Sequence, residues 1–189
     1  MKYIRKINGI NNWIPSKTQL YAGSFSTGDI LYKELRTTKN TLSIWSFSND
    51  QELNDALVAI ALNRDNIQKL SYMILDYEEI EQLGVPVEPE QGIADGLLDN
   101  GILNRHHNLC QIDFWRLGYI SEYFIKLAND SACYSFITER NLFCLIQDYV
   151  KTGKIDCSQM KQSMRESYDS HLAKFQAKYN NTYVTIKFR

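Results

Sequence analysis

A histidine, a cysteine and an aspartate between residues 105 and 113 are the groups in this sequence that best suit chemistry. His106, Cys110 and Asp113 stand four and three residues apart, so on a helix they would share one edge. An imidazole, a thiol and a carboxylate on one edge could hold a transition metal. They could equally form a cysteine nucleophile with a histidine that the acid orients. The alternative is an ordinary helix surface, on which the three residues meet by chance.

Motifs of the common cofactor enzymes are absent from the sequence. It contains no G-x-x-x-x-G-K-S/T phosphate loop and no G-x-G-x-x-G turn that opens a helix after a strand. A G-x-S-x-G nucleophile elbow and an H-E-x-x-H zinc motif are missing too. We therefore expect no cofactor and no bound metal. An enzyme with a non-standard active site around His106, Cys110 and Asp113 is the second functional interpretation.

Negative charge is concentrated in one stretch of the chain. Residues 71–100 contain eight carboxylates and no Lys or Arg, although the net charge of the 189 residues is only −1. The eight are Asp76, Glu78, Glu79, Glu81, Glu88, Glu90, Asp95 and Asp99. An uncompensated acidic surface attracts a basic partner and speeds its encounter. The leading interpretation is therefore a partner-binding protein, in its most specific form an inhibitor or immunity-type protein that covers a basic toxin or enzyme.

The acidic residues also admit two plainer interpretations. A solvated loop would carry the same charges simply to keep the protein soluble. Carboxylates also suit Mg²⁺ or Ca²⁺, but the D-x-D/N-x-D/N-G spacing of a calcium loop is missing.

Positive charge gathers at the C-terminal end of the chain. From Lys151 onward there are eight Lys and Arg against three Asp and Glu, which gives this segment a charge of +5. The pairs Lys161/Arg165 and Lys174/Lys178 fall on different sides of a helical wheel, so they form no single stripe along which a phosphate backbone could run. A nucleic-acid-binding module is the third interpretation, and we do not expect nucleic acid to be the partner.

The bulk composition is typical of a folded protein. Hydrophobic residues make up 44% and charged residues 23% of the chain. The sequence has no run of about 20 apolar residues, so we expect no membrane span and a cytoplasmic location. The four cysteines are scattered, which favours free thiols over a disulfide framework. A length of 189 residues favours a single globular domain.

Hydrophobic periodicity predicts an α+β or mixed α/β fold, with a central sheet of about 4–6 strands packed by amphipathic helices. Short β-branched and aromatic runs predict strands at 41–47, 72–75, 133–137 and 183–188, and shorter helices are predicted near 26–35, 49–61, 78–83 and 139–149. Long helices are expected near 104–128 and 159–179, the first on an apolar stripe of Leu109, Ile112, Trp115, Tyr119, Tyr123 and Leu127. An acidic loop-rich segment is expected at 76–101. The residues predicted to be buried are Trp45, Leu57, Trp115, Tyr119 and Phe136.

Overall fold

The computed structural model describes residues 1–9, Trp13 and 33–186, with side chains described up to residue 177. Most of the helix predicted near 26–35 therefore lies outside the described residues. Within them, six strands form one sheet in which every pairing is antiparallel. In chain order they are β1 (Lys2–Ile7), β2 (Leu42–Phe47), β3 (Leu70–Asp76), β4 (Val87–Pro89), β5 (His106–Leu109) and β6 (Tyr134–Ile137). The spatial order is β4-β5-β2-β1-β3-β6.

Six α-helices lie in the described part of the chain. They are α1 (Asp50–Leu62), α2 (Tyr77–Gln82), α3 (Asn100–Leu103), α4 (Phe114–Ala128), α5 (Glu139–Lys151) and α6 (Gln162–Ile186). Side-chain caps fix where several of them begin. Asn49, for example, accepts a hydrogen bond from the amide of Glu52, and Thr138 accepts one from the amide of Asn141. The predicted mixed α+β fold with a sheet of four to six strands is therefore confirmed.

Alternation along the strands divides the apolar residues between two faces of the sheet. On β2, Trp45 belongs to a first cluster that contains residues of α1, α3, α5 and α6, and Ile44 belongs to a second cluster that contains residues of α2 and α4. Ile4 and Tyr3 on β1 divide in the same way. We call these the first and the second face. Helices cover both faces, so the core has three layers.

The long helix predicted near 104–128 is wrong in its first part. Residues 106–109 form β5, which pairs with β2 and β4, and α4 begins only at Phe114 after the cap Asp113. Between the two, Gln111 has a φ of +54°, a conformation that no α-helix contains. The correction follows from tertiary pairing, because β2 and β4 supply hydrogen-bond partners that periodicity along the chain cannot reveal.

The C-terminal strand predicted at 183–188 is also wrong where it can be compared. Residues 183–186 continue α6, and 187–189 lie outside the described residues. The sequence after Gly153 contains neither Gly nor Pro, so it offers the helix no strong stop signal. The other predicted long helix, near 159–179, is present, although Ser158 lies in a 3₁₀ turn and α6 begins at Gln162.

The burial predictions are correct for β2 and α1 and wrong for α4 and β6. Trp45 and Leu57 are buried, as expected from β2 and α1. Trp115, Tyr119 and Phe136 are 72%, 52% and 52% exposed, so these three predictions are wrong. The stripe that placed the first two inward ran through Leu109 and Ile112, which do not belong to the helix, and its phase was therefore shifted. Phe136 lies on the edge strand β6, under the ammonium of Lys69 at 3.9 Å.

Two further expectations concern cysteines and membranes. All four cysteines are free thiols, as predicted. Among the helices that the structure describes, none is long and apolar enough to cross a bilayer.

Candidate functional site

His106, Cys110 and Asp113 do not share a helix edge, because only Asp113 adjoins a helix. His106 begins β5, Cys110 follows that strand, and Asp113 caps α4 by accepting a hydrogen bond from the amide of Arg116 at 2.8 Å. The Cys110 thiol donates to the carbonyl of Asn108 at 3.5 Å, and burial raises the pKa of the thiol. Each group has a local structural partner, and the thiol is not activated as a nucleophile. No cluster of three metal-ligating side chains occurs among the residues whose placement is described.

The eight acidic residues fall into two groups in space. Asp76, Glu78, Glu79 and Glu81 lie at the end of β3 and on α2, which packs on the second face. Glu88, Glu90, Asp95 and Asp99 lie on β4 and in the segment that leads to α3, whose apolar residues pack on the first face. The sheet thus separates a block that is continuous in sequence.

Several of these carboxylates have structural roles. Asp76 and Asp99 accept backbone amides at the starts of α2 and α3, at 2.9 Å each. Glu90 accepts a hydrogen bond from the Asn108 side chain. Glu79 forms an ion pair of 2.7 Å with Lys126 of α4, so the block is not entirely without a compensating cation, contrary to the sequence prediction. Of the remaining members, Glu78, Glu81, Glu88 and Asp95 are exposed.

The outward side of α4 carries an aromatic patch that sequence reasoning missed. Phe114, Trp115 and Tyr119 are 81%, 72% and 52% exposed. The rings of Phe114 and Trp115 meet edge to face with centroids 6.1 Å apart. Gly118 lies between Trp115 and Tyr119, and open space surrounds the position where a Cβ would stand. The sequence signal was available, since a helix that starts after Asp113 turns these rings away from the inward residues Ile120, Phe124 and Leu127.

A shallow groove of about 280 Å³ joins this aromatic patch to the acidic helix α2. Glu79 and Leu83 form one wall, and Tyr119, Glu122 and Lys126 of α4 form the other. We call α2 together with the outward side of α4 the α2–α4 face. It presents exposed aromatic rings beside carboxylates.

A larger cleft, of about 510 Å³, lies over the strands where α1 ends. Its cations come from distant parts of the chain: Arg5, Lys6, Lys33, Arg36 and Arg64. Two carboxylates, Glu34 and Glu90, share the lining. We call it the basic cleft. It is positively charged although the whole chain has a net charge of −1.

His106 and Trp45 form one end of the basic cleft. The imidazole meets the buried indole edge to face at 5.0 Å, and His106 Nδ1 lies 3.0 Å from the carbonyl oxygen of Glu90. A carbonyl only accepts, so Nδ1 carries the proton and the neutral ring offers Nε2 as an acceptor. Burial lowers the pKa of His106 below its ordinary 6.5, which keeps the ring neutral at pH 7. Of the three residues predicted for chemistry, only His106 lines this cleft.

Three cations of the basic C-terminal segment, among those whose side chains are described, lie within 4.0 Å of a carboxylate, so its charge is partly compensated. Lys161 pairs with Asp65, and Lys174 is exposed on α6. Lys178 lies beyond the described side chains. The nucleic-acid interpretation of this segment stays a prediction.

Comparisons of the chain with protein-family models, with curated proteins and with solved structures found no match.

Proposed function

We propose that this chain is a partner-binding protein that docks a basic protein on its α2–α4 face. The observation that carries the proposal is the exposure of Phe114, Trp115 and Tyr119 on α4, where Tyr119 shares a groove with Glu79 of α2. In its most specific form, the proposal is an inhibitor or immunity-type protein that covers a basic toxin or enzyme.

The aromatic rings would supply most of the affinity. Contiguous apolar patches of more than a few hundred Å² are uncommon on monomeric proteins and mark interaction surfaces. Trp and Tyr are enriched among the residues that dominate binding energy, because each ring buries a large area with little loss of side-chain freedom. Trp115 and Tyr119 stand four residues apart on α4, so both rings can enter one partner surface.

The charge of the α2–α4 face selects the class of partner. Glu79 of α2 and Glu122 of α4 line the groove together with one ammonium, that of Lys126. Glu78 and Glu81 are exposed elsewhere on α2. Arg116 is held by backbone carbonyls, those of Gly84 at 3.2 Å and Gln111 at 2.8 Å. The net negative charge favours a partner that is basic where it meets this face, and it would increase the association rate at low salt.

The test separates the effect of the aromatic rings on the dissociation rate from the effect of the carboxylates on the association rate. The partner is first captured by crosslinking in the native host and purified, and its binding to the chain is then followed by surface plasmon resonance. Replacing Trp115 and Tyr119 with Ala should raise the dissociation rate by about 100-fold or more, since such anchors contribute about 2 kcal/mol or more each. Replacing Glu78 and Glu81 with Lys should mainly slow association. Glu79 is left intact because it holds Lys126.

The matched control reverses two exposed carboxylates that belong to the other acidic group. Glu88→Lys with Asp95→Lys makes the same change in net charge on residues outside the α2–α4 face. Unchanged kinetics in this control support the proposal. An equal slowing in both charge-reversed proteins would mean that only overall charge matters. Unchanged dissociation of the Trp115→Ala/Tyr119→Ala protein would eliminate the α2–α4 face as the docking surface.

A further inference from the structure

We infer that the basic cleft is a second site, which binds a small organic phosphate through Lys6, Arg36 and Arg64 and places its non-phosphate part against His106 and Trp45. The inference does not depend on the proposed partner, because the cleft and the α2–α4 face share no residue.

The cations of the cleft outnumber its two carboxylates, of which Glu34 compensates part of the charge of Arg5 and Lys6. Among the described residues, no carboxylate lies within ion-pair distance of Lys6, Arg36 or Arg64. Both carboxylates also accept hydrogen bonds, Glu34 from the amide of Asn8 at 2.8 Å and Glu90 from the Asn108 side chain. The cleft therefore keeps a net positive charge that a bound anion would neutralise.

Burial and mutual repulsion also disfavour the charged forms of several of these cations. Burial, and then the neighbouring Arg64 charge, lower the pKa of Lys6, and burial lowers the pKa of Arg64. Burial lowers the pKa of Arg5 to about 10, and its buried Nε has no hydrogen-bond partner among the described residues. Partly desolvated cations that repel one another gain more from an anion than solvated surface lysines do.

A phosphate suits this arrangement better than a single carboxylate. Its oxygens accept several hydrogen bonds at once, and guanidinium groups bind it in a two-pronged geometry. Arg64 is already oriented, because its Nη1 donates to the carbonyls of Gln68 and Lys69 at 3.0 and 3.4 Å. A cleft of about 510 Å³ falls within the range of roughly 300–1,000 Å³ of small-molecule sites and exceeds the needs of one inorganic ion. The ligand therefore has a further part beyond its phosphate.

His106 defines the chemistry of that further part. Nδ1 is committed to the Glu90 carbonyl, so the acceptor that the neutral ring offers is Nε2. Trp45 and Ile60 supply apolar surface nearby in the same lining. A hydroxyl or amino donor on an apolar or sugar-like framework fits this end of the cleft. Sugar phosphates and nucleotides are ligands of this type.

The experiment is calorimetric titration of the full chain with four probes at one ionic strength: pyrophosphate, ribose 5-phosphate, adenosine diphosphate and adenosine. At least one of the two organic phosphates should bind more tightly than pyrophosphate, and adenosine should not bind. Lys6→Gln with Arg36→Gln should weaken the organic phosphate at least about tenfold, since hydrogen bonds to charged groups are strong. Neither side chain belongs to the core or makes a side-chain hydrogen bond among the described residues, so the fold should be unaffected.

The control removes one Lys and one Arg elsewhere. Lys174→Gln with Arg140→Gln makes the same change in charge at exposed residues that do not line the cleft, and it should bind the probes like the unaltered chain. His106→Ala, checked for folding by its melting curve, should lower the affinity for the organic phosphate to that for pyrophosphate and leave pyrophosphate binding unchanged. The inference is overturned if no phosphate binds, if pyrophosphate binds as tightly as both organic phosphates, or if the two double variants behave alike. Tighter binding of a short single-stranded RNA, lost in the Lys6→Gln/Arg36→Gln protein, would replace it with a nucleic-acid site.

Discussion

The basic cleft and the α2–α4 face use charge and aromatic rings in opposite ways. In the cleft, cations from three separate segments converge on a concavity, and Trp45 is buried with its indole against the imidazole. On the α2–α4 face, carboxylates lie on exposed helix surfaces and Trp115 projects into solvent. A concave site with converging charges can surround a small molecule, whereas exposed rings gain energy only when a large partner covers them. The two surfaces therefore differ in the size of ligand they suit as well as in its charge.

The largest expected effect tests whether one side of α4 is packed in the core while the other side is free to bind a partner. Phe124 is fully buried and contacts the rings of Trp13 and Tyr123, at 5.3 and 6.0 Å. Phe124→Ala should lower the free energy of unfolding by about 3–5 kcal/mol, through lost burial and the cavity left behind. Trp115→Ala on the same helix should change it by less than about 0.5 kcal/mol. Urea unfolding of both proteins measures the difference, and similar losses would show that Trp115 is packed and unavailable to a partner.

That contrast also shows what the sequence could and could not predict about α4. The cap at Asp113 is a local signal, since Asp is among the residues that favour the position before a helix. A helix that starts at this cap excludes Leu109 and Ile112 from the apolar stripe. Its remaining apolar residues then place Trp115 and Tyr119 on the outer side of the helix. No local signal announces β5, whose four residues form a strand because β2 and β4 lie on either side of it.

The basic cleft could not have been predicted from the sequence for a related reason. Lys6, Arg36 and Arg64 are about 30 residues apart along the chain, and each is unremarkable in its own segment. Only the pairing of β1 with β2 and the end of α1 bring them together. The acidic block shows the converse: it is continuous in sequence, but the sheet divides it between two faces. Most of the strands and helices, in contrast, follow from local periodicity and caps, which is why the fold class was predictable.

Alanine in place of Gly92 in the basic cleft should lower the free energy of unfolding, whereas alanine in place of Gly118 on the α2–α4 face should raise it. A Cβ at Gly92 would stand 2.6 Å from Cη2 of Trp45 and 2.9 Å from Cβ of His106, so the segment after β4 approaches the aromatic end of the cleft closely. Gly92→Ala should lower the free energy of unfolding by about 1–3 kcal/mol through overpacking, because the buried indole cannot move away. A melting curve that is unchanged would mean that this end of the cleft is loosely packed.

Gly118→Ala on the α2–α4 face should stabilise the protein. The Cβ would enter open space, and Gly118 lies inside α4 with no positive φ. Alanine is favoured over glycine in a helix interior by about 1 kcal/mol, so the free energy of unfolding should rise by up to that amount. Thermal and urea unfolding measure it. A loss of stability would indicate that the backbone of α4 is already covered at this position.

The smallest expected effect is the dependence of stability on pH at His106. Burial lowers the pKa of His106 in the folded chain below 6.5, so as pH falls the unfolded chain takes up the proton first. The contribution of His106 is therefore fully present above pH 6.5 and is lost as pH falls through the lowered pKa. His106→Asn removes this titration, so its free energy of unfolding should fall less between about pH 7.5 and about pH 5 than that of the unaltered chain. Equal losses in the two proteins, or an imidazole that titrates at 6.5 or above by NMR, would contradict a buried neutral ring.

Adding pyrophosphate to the NMR sample sharpens the comparison of the two surfaces. An anion bound among the cations of the cleft favours the charged imidazolium and should raise the pKa of His106, whereas a ligand on the α2–α4 face would leave it unchanged.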